Sequence, residues 1–176
     1  MRKIKTRTIT LLAFCIALNI IGSNIALMLK LPIYLDSIGT VLAAAVFGPL
    51  GGMLAGGATT DLYSLFFMPV QLLTGFMAGW LYRRVQPGTW RSSWWWAGAI
   101  ALPGTLLSTA ITVILFHGIT SSGSSMLVQL LLGTGMGKPM AVFLIQVGTD
   151  YLDRFITVYV VALVYRALRY KLPQAN

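Results

Sequence analysis

The sequence predicts an all-α integral membrane protein: six transmembrane helices in one bundle, with both termini on the cytoplasmic side. Three observations carry this. The 176-residue chain is 57% hydrophobic and only 10% charged, with a mean hydropathy of +0.79, whereas a soluble domain carries about 25% charged residues. Its apolar runs are broken by Pro and Gly, some at a spacing near one bilayer crossing and some shorter. Its basic residues gather at the ends of those runs: Arg2, Lys3, Lys5 and Arg7; Arg83, Arg84 and Arg91; and Arg166, Arg169 and Lys171.

The first segment runs from Thr8 to Leu29, long enough to cross a bilayer as a helix at about 1.5 Å per residue. A basic stretch before an apolar one resembles a signal peptide, but no small-residue cleavage site follows this run, so it is read as a retained first helix. Pro32 breaks it. The second segment runs from about Asp36 to Phe47 and stops at Gly48-Pro49. The third runs from about Leu50 to Phe66, with a break at Pro69. The fourth runs from about Gln71 to Tyr82 and ends on Arg83-Arg84. A polar loop precedes the fifth, Trp94 to Phe116. The sixth is Tyr151 to Tyr170, and the apolar stretch before it, broken by Gly133, Gly135, Gly137 and Pro139, is read as a partly helical excursion.

With the N-terminus inside, six crossings return all three basic clusters to the inner face, as the positive-inside rule requires. The net charge of +9 is therefore a topology signal and does not point to nucleic acid. The second and fourth segments are short for a bilayer and must be extended by neighbours or sit where the protein is thin. The single cysteine, Cys15, forms no intrachain disulfide.

There is no glutamate, and the acids are Asp36, Asp61, Asp150 and Asp153. An ionisable residue inside a membrane segment faces the bundle interior or water and marks function by default. Asp61 stands eleven residues after Leu50, roughly 16 Å along a helix. It either lines a polar site or is a structural Asp bonded to Thr59 or Thr60. On this topology the outer ends hold Asp36, Gln71, His117, Ser121, Asp150, Asp153 and Arg154, so a ligand site is expected to face outward. Tyr34, Tyr63 and Tyr151 are aromatic candidates near boundaries, and Trp94 to Trp96 read as an interfacial belt. Asp150, Asp153 and Arg154 either bind ligand or form a helix cap with a local ion pair. His117 is either a boundary residue or a ligand contact. No His/Cys/Asp cluster has metal spacing, and no phosphate-binding glycine loop follows a strand. No catalytic residue, resident cofactor or metal is expected. Alternatives to a transporter binding subunit are a small integral membrane enzyme and a membrane assembly or scaffold protein.

Three motifs carry a family resemblance. "LLAFCIALNI" contains Ala13-x-x-x-Ala17, "IGTVLAAAVFGPLGGMLAGGATTDL" joins two helices through a Gly-Pro turn, and "TGFMAGWLYRR" ends on basic residues. Over nearly the whole chain the sequence resembles the substrate-binding S component of energy-coupling-factor (ECF) vitamin transporters. The resemblance implies one substrate-binding domain over residues 1–176, in a prokaryotic plasma membrane, that takes a small nutrient from outside. It implies a partnership with a transmembrane T component and two ABC-type ATPases, which hydrolyse the ATP. Ala13 and Ala17 would form the smooth strip that docks the T component. The substrate-binding candidates are Tyr34, Asp36, Asp61, Tyr63, Gln71, His117, Ser121, Asp150 and Arg154. They suit a small polar heterocycle, such as a B6 vitamer or a nucleoside.

Overall fold

A computed structural model describes residues 6–59, 64–84, 90–120 and 122–168. Their regular structure is all helical, with no strand among them: α1 Thr6–Met28, α2 Ile38–Phe47, α3 Pro49–Gly57, a 3-10 turn at Ser64–Phe67, α4 Met68–Arg84, α5 Trp90–Leu115, α6 Ser124–Gly133 and α7 Lys138–Leu168. Three stretches are long and apolar enough to cross a membrane, Thr6–Met28, Leu65–Arg84 and Ser92–Leu115.

The prolines sort by position. Pro49, Pro69 and Pro139 each occupy the first turn of a helix, where the missing N–H has no helical partner to lose. Pro69 therefore opens α4 where a break was expected. Pro139 likewise opens a 31-residue α7 that takes in the second half of the stretch read as a partly helical excursion, while α6 takes the first half. At about 1.5 Å per residue α7 is some 46 Å long, which exceeds the hydrocarbon thickness of about 30 Å. The third segment is shorter than expected, because α3 ends at Gly57. A helical rise from Leu50 to Asp61 therefore does not hold.

The α2–α3 hairpin is the centre of the bundle. Gly48 turns it with φ of 79°, a left-handed conformation that glycine adopts without strain. A Cβ at Gly48 would strike the Arg83 guanidinium, so the turn lies level with the basic end of α4. Above it α3 and α4 approach backbone to backbone. A Cβ on Gly52 would meet Gly75, one on Gly56 would meet Gln71, and one on Gly79 would meet Pro49. Small residues permit this approach, and in lipid, where apolar surface gains nothing by leaving the solvent, close packing is the main attraction.

The buried core joins Val41, Leu42, Ala43, Ala44 and Val46 of α2 to Ala78 and Tyr82 of α4, Trp96 and Ile100 of α5, and Val158 and Val161 of α7. Trp96 packs on the Tyr82 ring at 5.4 Å and so belongs to this core. Trp94 and Trp95 remain exposed, in keeping with an interfacial belt. α1 lies mainly along α2, buries Cys15, Asn19 and Ala26 on one stripe, and leaves Ala13 and Ala17 exposed.

Candidate functional site

The polar residues converge on one cavity of about 370 Å³. α1, α4, α5, α7, the segment between α1 and α2, and the loop between α5 and α6 all contribute to its walls. From Gln71 to Arg83 α4 climbs twelve residues, about 18 Å at helical rise. The cavity thus stands well away from the basic end of the bundle. Leu27, Leu31, Ile33, Val70, Phe67 and Phe116 give it apolar walls, while Tyr34, Asp36, Gln71, Asp150 and Arg154 converge as polar groups. A few polar groups set in an apolar hollow is the general form of a small-molecule site.

The segment 29–37 is held from three sides. A Cβ on Gly22 of α1 would strike the Leu35 carbonyl, and one on Gly123, just before α6, would strike the Lys30 and Leu31 carbonyls. From α7, Asp153 Oδ1 accepts the Leu35 N–H at 2.8 Å. Lys30 and Leu35 have φ of 50° and 51°, strained for residues with a Cβ and of the kind that persists only where surroundings over-determine it. Next along the chain, Asn19 of α1 caps α2 from outside. Its Oδ1 accepts the Gly39 N–H at 2.6 Å and the Thr40 N–H at 3.3 Å, and its Nδ2 donates to Thr40 Oγ1 at 2.8 Å. This satisfies N-terminal amides that no side chain of α2's own cap reaches.

Charge is arranged around Arg154. Its Nη1 donates to the Ser37 hydroxyl and to Asp153 Oδ2 at 3.0 Å, and lies 3.9 Å from Asp36 Oδ1. Asp36 Oδ2 accepts from Gln71 Nε2 at 2.5 Å. One turn before Arg154 on α7, Asp150 Oδ2 accepts from Thr105 of α5 at 2.8 Å. Asp36 Oδ1 and Gln71 Oε1 are buried with no hydrogen-bond partner among the described residues. Asp36 precedes α2 and lies outside the helices. Burial pushes its carboxyl from the usual 3.8 up to about 6, even though Arg154 pulls the other way. Burial, reinforced by the Asp150 carboxylate, also raises the Tyr34 phenol, so it is a neutral donor and acceptor.

Of the sequence-predicted site residues, Tyr34, Asp36, Gln71, Asp150 and Arg154 line this cavity. His117 does not: it is exposed at the end of α5 with φ of 52°, although Phe116 and Ile119 beside it do line the cavity. Asp61, Tyr63 and Ser121 lie outside the described residues. Of the alternatives for Asp150, Asp153 and Arg154, the helix cap does not hold, because both acids sit well inside α7, far from its N-terminal amides, while the local ion pair is present between Arg154 and Asp153. Asp153 is instead a buried anchor for segment 29–37. Sequence reasoning missed Asn19, Ser23 and Ser108 on the cavity wall. A signal for Ser108 was present: Thr105, Ser108 and Thr112 recur at helical spacing on an otherwise apolar α5, where Thr109 and Thr112 pair with Gln146 of α7. Among the described residues no three His, Cys, Asp or Glu side chains are grouped to hold a metal. Comparison with known protein families, curated proteins and solved structures gives no match for the chain.

Proposed function

We propose that the chain is the membrane-embedded substrate-binding component of an ECF-type importer. It captures a small water-soluble vitamin or related micronutrient, a B6-type vitamer or nucleoside-like heterocycle, from the outer side. A T component and two ATPases then energise release inward, and the chain itself catalyses no reaction. The observation that carries this reading is the cavity: buried polar groups from four helices and the segment 29–37 converge on a hollow of vitamin size. In this reading α1, α2, α3, α4, α5 and α7 are the six spans and both termini are cytoplasmic. The hairpin turn at Gly48 and the Arg83-Arg84 end of α4 share the inner face, in keeping with the positive-inside rule. α6 packs on α7, and the loop before it brings Thr120 and Ser122 to the cavity wall. The exposed Ala13 and Ala17 supply the docking strip.

Native mass spectrometry of the gently purified chain, followed by identification of any small molecule released on denaturation, tests the proposal. One vitamin-like molecule per chain supports it. An empty cavity together with no paired ATPases in a pull-down from the native membrane counts against it.

A further inference from the structure

Resting on that reading, the charge and hydrogen-bond inventory of the cavity specifies what it takes. Its lining carries two carboxylates, Asp36 and Asp150, and one guanidinium, Arg154. That guanidinium is already committed. It lies 3.0 Å from the carboxylate of Asp153, which is 1% exposed and stands behind the wall. To Asp36 it comes no nearer than 3.9 Å, too far for a hydrogen bond. Arg154 therefore sets one positive charge against three carboxylates and hydrogen-bonds only Asp153 among them. Asp36 and Asp150 remain on the lining with no second cation among the lining residues.

Hydrogen bonding gives the same sign independently. The two buried atoms at the site that lack a partner, Asp36 Oδ1 and Gln71 Oε1, are both acceptors. Gln71 is only 7% exposed, so bulk water does not reach it freely. Its amide cannot be turned to relieve the shortage. Nε2 already donates to Asp36, and a flip would set Oε1 against that carboxylate. What is missing from the site is a donor. A buried acceptor left unmade is strongly unfavourable, so the complement of this wall is a donor, N–H or O–H, and the uncompensated carboxylates favour one carried on a cation.

The remaining walls suit the body of such a ligand. Tyr34, Phe67 and Phe116 offer aromatic surface, and aromatic faces attract cations as well as flat rings. We infer that the cavity takes a small organic cation, a protonated amine or cationic nitrogen heterocycle, whose N–H donors meet Asp36, Gln71 and Asp150 while its apolar body lies against the aromatic wall. A phosphorylated or carboxylated compound of the same size would set like charges together in a desolvated site. The cavity is thus selective for the unphosphorylated form.

The test uses the full chain in lipid nanodiscs at neutral pH and an equimolar mixture of matched compounds. Pyridoxamine, tryptamine and thiamine are the cations. Pyridoxine, tryptophol and cytidine are the neutral compounds. Pyridoxal 5′-phosphate, indole-3-acetate and cytidine monophosphate are the anions. Retained compounds are identified by mass spectrometry after washing. The cations should be retained at least about tenfold over their neutral partners, the size expected of a charge-assisted hydrogen bond. Asp36→Asn should remove that preference. Asp150→Asn, whose amide oxygen still accepts from Thr105, is the second variant should the first disturb segment 29–37. Preferential retention of neutral or anionic compounds overturns the cation inference and leaves the binding-subunit reading intact. Retention of none of the nine overturns the cation inference, and the binding-subunit reading falls with it only if the chain also releases no co-purified molecule and pulls down no paired ATPases.

Discussion

Asp153→Ala is the most informative single change for the architecture of the site. The carboxylate is 1% exposed and serves two elements at once. Oδ1 holds the Leu35 N–H at 2.8 Å, and Oδ2 holds Arg154 Nη1 at 3.0 Å. Truncation leaves Arg154 buried with Asp36 at 3.9 Å as its nearest remaining carboxylate. Breaking a buried ion pair in this way costs about 3–5 kcal/mol, and an orphaned backbone N–H about 1–3 kcal/mol. Both losses come from one carboxylate and are not additive, so about 4 kcal/mol is the working figure. At about 2–4 °C per kcal/mol for a chain of this length, the melting temperature should fall by about 10 °C. Thermal unfolding in nanodiscs, followed by intrinsic fluorescence, reads it directly. The double change Asp153→Leu with Arg154→Met should lose less than Asp153→Ala, because no buried guanidinium is left without its partner. A single variant melting within about 2 °C of the parent would show that the pair contributes little net stability and that segment 29–37 is held by packing alone.

The raised carboxyl of Asp36 has a signed pH consequence. Between 3.8 and about 6 the folded chain keeps a proton that the unfolded chain has lost, so stability falls as pH rises through that window and is level above it. The groups around it, Arg154, Asp153, Asp150 and Gln71, are unchanged in Asp36→Asn, so the variant should lose the share of this fall that Asp36 contributes; a melting-temperature difference between the two proteins that does not vary with pH defeats the assignment. Gly75→Ala would drive a Cβ into the Gly52 backbone and should destabilise by about 1–3 kcal/mol. Gly148→Ala, with nothing within 4 Å, should gain about 0.5–1 kcal/mol, and equal melting shifts for the two would refute the close α3–α4 contact. Ala13→Trp on the exposed face of α1 should lower cellular uptake through lost docking while ligand retention by the isolated chain is unchanged, and joint loss of both would argue against a separate docking strip.

Much of the fold is legible in composition and punctuation. Gly48-Pro49 announces a turn because glycine supplies the positive φ and proline starts the next helix. Prolines elsewhere are less readable. Pro69 and Pro139 look like breaks, yet a first-turn proline opens a helix as readily as it ends one. What decides is whether the preceding residues pack as helix, a tertiary matter. The same limit hid the length of α7 and, with it, the place of Asp150 and Asp153. As a helix start they read as a cap; in mid-helix they can only be satisfied by other elements, Thr105 and segment 29–37. Sorting polar residues by membrane side brought Tyr34, Asp36, Gln71, Asp150 and Arg154 together correctly in space. It drew in His117 as well, because sequence neighbourhood cannot say which way a side chain at a helix end points. Asn19 escaped notice for the opposite reason: one amide in an apolar helix has no sequence-local partner, and its partners lie about twenty residues on, at Gly39 and Thr40.

The anchoring of segment 29–37 also orders events in time. Leu35 and Ser37 are bound by a residue more than a hundred positions later in the chain. Synthesis runs from the N-terminus, so α1, α2, α3 and α4 can assemble around their glycine contacts well before Asp153 and Arg154 have been made. Throughout that interval Asp36 has Gln71 for company and no cation. The cavity consequently closes only once α7 is in place, and a nascent chain arrested before α7 would carry a packed hairpin beside an unfinished, acidic and wet notch. Quality control that senses unpaired polar groups in the bilayer would find its target there.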